Sequence, residues 1–187
     1  MQLLGYIDSR VWDHFYPWLD FSGNLPVLKH TAGVVEPIMA RQHFLFHTAI
    51  DVLCFCHVYP KWLGVQGNNI FTALGLHPTT EQLKILMERF PNARLIGVFD
   101  DDVCGRVLDC KINLFQMGRD ASFRLVKSEI FFKYKDKTFR VSVDRFSLHH
   151  FRRLTGIRST YRTMKPKGFV SFVSMLAHSL NEQLNQM

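Results

Sequence analysis

Several absences narrow this sequence before any motif is considered. No apolar run approaches the ~18 residues of a membrane-spanning helix, so an integral membrane protein is not expected. The opening MQLLGYIDSR has no basic stretch leading into an apolar core and so does not read as a secretory leader. Cysteine is scarce: Cys54, Cys56, Cys104 and Cys110 form no CxxC pairs of zinc-ribbon spacing. Cys54 and Cys56 alternate with Phe55 in the apolar run VLCFCHV and read as buried thiols, a metal role beside His43, His47 or His57 being the lesser alternative. Free thiols without a leader fit a reducing, cytoplasmic setting. Repeats and low-complexity tracts are missing, and 47% hydrophobic against 21% charged residues can build a sizeable core, which excludes long disorder.

The charge that is present is unevenly placed. Residues 1–118 carry nine basic and eleven acidic side chains, whereas residues 119–167 carry fourteen basic and four acidic ones. A basic segment following an acidic one suggests a polyanion held against a cation site, the alternative being a solvated basic surface.

Three regions follow from the pattern. Residues 1–34 form an aromatic-rich extension, with a short helix capped by Ser9 and stopped before Pro17. Residues 35–118 alternate strand and helix. Strands are expected at His43–Phe46, Trp62–Val65 and Arg94–Phe99, with helices over Thr48–Val58, Asn69–Leu76, Thr79–Phe90 and Gly105–Phe115. Such alternation with short connections implies an α/β fold, a parallel sheet flanked by helices. Residues 119–187 are expected to form a basic β-hairpin (129–134 and 138–143) and two helices packed on that domain. The first helix is capped by Ser147 and stopped at Gly156; the second spans Phe169–Leu184 with Phe169, Phe172, Val173, Leu176, Leu180 and Leu184 on one face. That face covers a sheet or, alternatively, docks a second copy or another protein.

The most informative segment is LIGVFDDDVCGRVLDCKI, from Leu95 to Ile112. An apolar strand delivers Asp100 and Asp102 at its carboxyl end, where α/β sheets place their ligand sites. Two carboxylates at this spacing can share Mg²⁺, with water and substrate phosphate completing its octahedron. Gly105 admits a close turn into the next helix, and Arg106 is placed to meet a phosphate. The competing reading is a strand end followed by an Asp-rich helix cap.

Phe99 to Arg106 resembles the hydrophobic-D-x-D-x-x-G-R signature of Toprim domains, found in bacterial primases, topoisomerases and mobile-element-associated proteins. Upstream, Phe46-His-Thr-Ala-Ile-Asp-Val-Leu53 resembles the strand-E-x-x-x-D-A-L element that opens these domains, and Gly64-Val-Gln-Gly67 resembles their second strand and glycine turn. The resemblance covers Arg41 to Met117. It implies a Toprim-like sheet with Mg²⁺ at Asp100 and Asp102, assisted by His47 and Asp51, and metal-dependent phosphodiester chemistry in DNA replication, mobilisation or processing. One departure stands out: the family's glutamate falls at His47, which can move protons but offers no anionic oxygen to Mg²⁺. Glu36 is the alternative substitute, although Pro37 follows it.

In the basic segment, Arg145, Arg152, Arg153, Arg158, Arg162, Lys165 and Lys167 join Arg106 as candidate phosphate contacts. The interleaved aromatics are read chiefly as core rather than as stacking platforms for bases. Two functions stand open. One is a Toprim-like protein acting on nucleic acid, with DNA favoured over RNA; the other is a catalytically degenerate module that binds DNA or a protein. Whether the chain is an enzyme stays undecided at this point.

Overall fold

The computed structural model describes residues 2–29, 31–33, 36–63 and 68–185, with the side chains of residues 2, 3, 183 and 184 excepted. Its centre is a four-stranded, all-parallel sheet. β3 (Gln42–Phe46), β4 (Asn69–Ala73), β5 (Arg94–Gly97) and β9 (Arg162–Thr163) lie side by side in the order β4-β3-β5-β9. The α/β expectation holds at this level: β3, β4 and β5 are buried on both faces, as near-continuous apolar runs require. Among the described residues no helix is long and apolar enough to cross a membrane.

Each face of the sheet carries its own core. Successive residues on a strand point to opposite sides, so Phe44, Phe46, Ile96 and Val98 share one face while Leu45, Leu95 and Phe99 belong to the other. The first face is covered by α1 (Ser9–Phe15), α2 (Ala49–Val58) and α6 (Phe172–Leu184). The second receives α3 (Thr80–Arg89), α4 (Val103–Phe115) and α5 (Leu148–Thr155). It also receives a three-stranded antiparallel sheet of β6 (Phe123–Val126), β7 (Glu129–Tyr134) and β8 (Lys137–Ser142). A small ribbon of β1 (Leu19–Asp20) and β2 (Val27–Leu28) belongs to the amino-terminal segment.

Local chemistry sets most boundaries. Thr48 caps α2 in a reciprocal capping box with Asp51, Thr79 caps α3, and Ser147 caps α5, which Gly156 ends in a left-handed turn. Other expectations are corrected. Asp8, not Ser9, caps α1. Asn69–Ala73 is a strand rather than a helix: Ile70 and Thr72 are β-branched and pair in register with β3. Trp62 closes a 3-10 turn begun at Pro60 and is not part of a strand, while Gly64 to Gly67 lie outside the described residues. Helix α4 starts at Val103, two residues early, because Asp102 is its cap. The expected basic hairpin gains a third strand, β6, and β9 adds an unforeseen fourth to the central sheet. Helix α6 begins at Phe172 and buries Phe172 and Leu176 against α2, so its apolar face is used internally; the side chain of Leu184 lies outside the described residues.

Candidate functional site

The carboxyl ends of β3 and β5 are neighbours. The Val98 N–H donates to the Leu45 carbonyl (2.8 Å), and the His47 ring stands 4.9 Å from that of Phe99. His47, Asp51, Asp100 and Asp102 are thereby brought to one edge of the sheet. Each of the other three is close enough for its charge to act on the Asp100 carboxyl.

The loop carrying Asp100 turns back on α4 without space to spare. A Cβ on Gly105 would lie 2.0 Å from the Asp100 carbonyl oxygen, which is why this spacing needs glycine. The Asp102 carboxylate accepts the Gly105 N–H (2.7 Å) as helix cap. Asp101 accepts the Arg106 Nε–H (2.8 Å), and its own N–H donates to the Val170 carbonyl (2.7 Å). Arg106 reaches on towards the Val143 carbonyl, tying the loop to the segment after β8.

Asp100 is the carboxylate left without such employment. Partial burial raises its pKa, and the charges of Asp51 and Asp102 raise it further, against the lowering pull of His47 and Lys165. A half-buried carboxyl facing two others suits a hard cation, and Mg²⁺ commonly takes only one or two carboxylates. Asp51 spends one oxygen on its capping box, accepting from the Thr48 N–H and hydroxyl. Among the described residues no three His, Cys, Asp or Glu side chains are gathered as a ready metal cage. With Asp102 already accepting the Gly105 N–H, a cation at Asp100 and Asp102 would have to draw most of its ligands from water. His47 follows β3, and its buried Nδ1 has no partner. Glu36 is exposed before a 3-10 turn whose Ile38 carbonyl accepts from Asn92 ahead of β5, at the amino edge of the sheet and away from Asp100.

Beneath the loop sits a buried polar cluster that sequence reasoning missed. The Lys165 ammonium donates to the Phe99 carbonyl (2.8 Å), the Asp100 carbonyl (2.9 Å) and the Asp109 carboxylate (2.8 Å), satisfying its three protons. The Tyr161 hydroxyl donates to the other Asp109 oxygen (2.7 Å). Burial pushes Asp109 up to about 6, outweighing the attraction of Lys165. Gly97 lets this cluster press on β5, since a Cβ there would overlap the Tyr161 hydroxyl at 1.8 Å. The signal available in the sequence is Asp109 on the inner face of an amphipathic helix, one turn beyond Gly105.

The candidate phosphate contacts divide into two groups. Arg106, Arg152 and Lys165 are engaged inside the protein: Arg152 bonds Asn113, Ser159 and the Tyr161 carbonyl. Arg145, Arg153, Arg158, Arg162 and Lys167 are exposed. Of the interleaved aromatics, Phe132, Phe146, Phe151 and Tyr161 are fully buried, as expected of core. No protein-family model, curated protein or solved structure matches the chain. Its class is set by its own architecture: an α/β protein whose parallel sheet presents an acidic edge.

Proposed function

We propose that this chain is a Toprim-like nucleic-acid-binding protein whose acidic edge takes Mg²⁺ at Asp100 and Asp102 and works on DNA phosphodiesters. The observation that carries the reading is the convergence of His47, Asp51, Asp100 and Asp102 on one edge of a parallel sheet, from two sequence segments about fifty residues apart. Bound there, Mg²⁺ would polarise a phosphoryl oxygen and offset its charge. The chain's own residues set the stage for it. Lys165 holds the two backbone carbonyls that fix the loop, Gly105 admits the turn, and His47 offers an unpartnered Nδ1 where the family has glutamate. Arg145, Arg153, Arg158 and Lys167 supply exposed positive charge for the strand backbone.

A second reading, a degenerate module that binds DNA without cleaving it, is favoured by a different observation. Asp51 is occupied in the capping box of α2, Asp102 caps α4, and histidine stands at the glutamate position. Binding of labelled single- and double-stranded DNA across a salt series, with and without Mg²⁺, combined with plasmid nicking, separates the two. The first reading requires Mg²⁺-dependent nicking abolished by Asp100→Ala, with log affinity falling against log salt at a slope of about −3 to −4 if the four exposed cations each neutralise a phosphate. Salt-sensitive binding indifferent to Mg²⁺ and to Asp100→Ala supports the module. No binding at low salt refutes both.

A further inference from the structure

The other end of the central sheet carries a feature that the acidic edge does not explain. A cleft of about 830 Å³ opens there, with Arg41, Gln42, Trp62, Arg94, Gln116 and Arg162 in its wall. Gln42 begins β3 and Arg94 begins β5, whereas Asp100 follows the carboxyl end of β5, so cleft and acidic loop stand at opposite edges of the sheet. The cavity is within the ~300–1,000 Å³ range of small-ligand sites.

The strand register concentrates positive charge in it. Gln42 pairs with Arg94 and Ile96 pairs with Arg162, and residues two apart on a strand share a face. Arg94 and Arg162 are therefore diagonal neighbours on one face of adjacent strands. Arg41 joins them through its carbonyl, which accepts the Arg94 N–H (2.8 Å). No aspartate or glutamate lines the cleft, and none of the three guanidinium groups has an ion pair among the described residues. Three like charges lining one cleft without a counter-ion repel one another, and a multiply charged anion reverses the sign of that energy. Gln42, Trp62 and Gln116 also contribute to the wall, with the Trp62 Nε1–H and the two glutamine side-chain oxygens sealed behind it. Guanidinium forks are donors that phosphate oxygens accept, and arginine matches their geometry two bonds at a time.

We propose that this cleft binds a terminal, dianionic phosphate, carried either by a free nucleotide or by the 5′ end of a nucleic-acid strand. Three arginines without a carboxylate partner suit a terminal phosphate better than the single charge of each diester along a strand. The site is independent of the acidic edge and needs no metal.

The test is a fluorescence-anisotropy titration of the full chain with a fluorescent ATP analogue in EDTA, which removes metal-dependent binding at Asp100. Unlabelled pyrophosphate, a 5′-phosphorylated oligonucleotide and its 5′-hydroxyl counterpart serve as competitors. The expected result is saturable binding displaced by pyrophosphate, weakened about tenfold or more by Arg94→Gln and by Arg162→Gln, and unchanged by the charge-matched Arg124→Gln. Stronger competition by the 5′-phosphorylated strand than by pyrophosphate assigns the site to strand ends; the reverse order assigns it to free nucleotides. Arg41→Gln reads the same loss if either of the other variants fails to fold, as judged by circular dichroism. Absence of saturable binding below about 1 mM, equal competition by the 5′-hydroxyl strand, or full binding by folded arginine variants each overturns the proposal.

Discussion

Replacing Asp109 by asparagine tests whether burial or ion pairing governs the cluster under the acidic loop. Asp109 is nearly inaccessible, yet it faces the Lys165 ammonium at 2.8 Å. Its pKa rises from 3.8 to about 6, with burial the largest cause. A folded pKa above the unfolded one means that the native state holds this proton more tightly. The contribution to stability is complete below about pH 4 and is lost as pH rises through about 6, to the extent of about 3 kcal/mol. Asparagine keeps the neutral shape and the acceptor for the Tyr161 hydroxyl at every pH. The variant should therefore gain about 3 kcal/mol on the wild type between pH 4 and pH 7, equivalent to about 6–12 °C in Tm for a chain of this size. Urea denaturation followed by tryptophan fluorescence, at matched pH values, measures the difference; titrations common to both proteins cancel. Asp109→Ala serves as contrast, because it orphans the Tyr161 hydroxyl and should lie about 2–4 kcal/mol below Asp109→Asn at every pH. A wild-type-to-asparagine difference that is flat with pH, or that favours the wild type increasingly as pH rises, would refute the dominance of burial.

Further predictions concern single features. Gly105→Ala places a Cβ against the Asp100 carbonyl and should cost about 2–3 kcal/mol in a urea melt; a cost under about 0.5 kcal/mol would show that the loop gives way freely. Thr79→Ala removes the cap of α3 and should cost about 1 kcal/mol by the same assay, a null effect arguing that water replaces the hydroxyl. Thiol titration of the native protein should modify Cys104 alone, because Cys54, Cys56 and Cys110 are buried, with burial pushing Cys54 up to about 12. All four cysteines should react in denaturant, and a second fast native thiol would contradict the packing of α2 or α4.

The sequence was most legible where local chemistry and periodicity agreed. Ser147 announced its helix, Pro78 with Thr79 or Thr80 announced α3, and the alternation of strand and helix announced the parallel sheet. It was least legible where a short apolar run fits either structure: Asn69–Ala73 becomes a strand only because β3 offers it a partner. Strand β9 has two residues and no pattern of its own; it exists because β5 presents an open edge and Met164 can donate to the Gly97 carbonyl. At the site, the carboxylates were readable from their spacing. The inward turns of Arg152 and Lys165 were not, because a basic side chain in a basic segment looks the same whether it meets solvent or a buried carboxylate. The arginine cleft was equally hidden, since Arg41, Arg94 and Arg162 meet only through strand register.

The late arrival of β9 has a consequence for the order in which this chain acquires its shape during synthesis. Until residues 161–165 leave the ribosome, β5 is the open border of the sheet, Asp109 has no countercharge and the Phe99 and Asp100 carbonyls lack their lysine donor. A nascent or truncated chain ending at residue 118 would expose unpaired backbone along β5, a template for association with other chains. The support of the acidic edge thus arrives late, from a segment more than sixty residues downstream, and an autonomous fragment of residues 35–118 should aggregate.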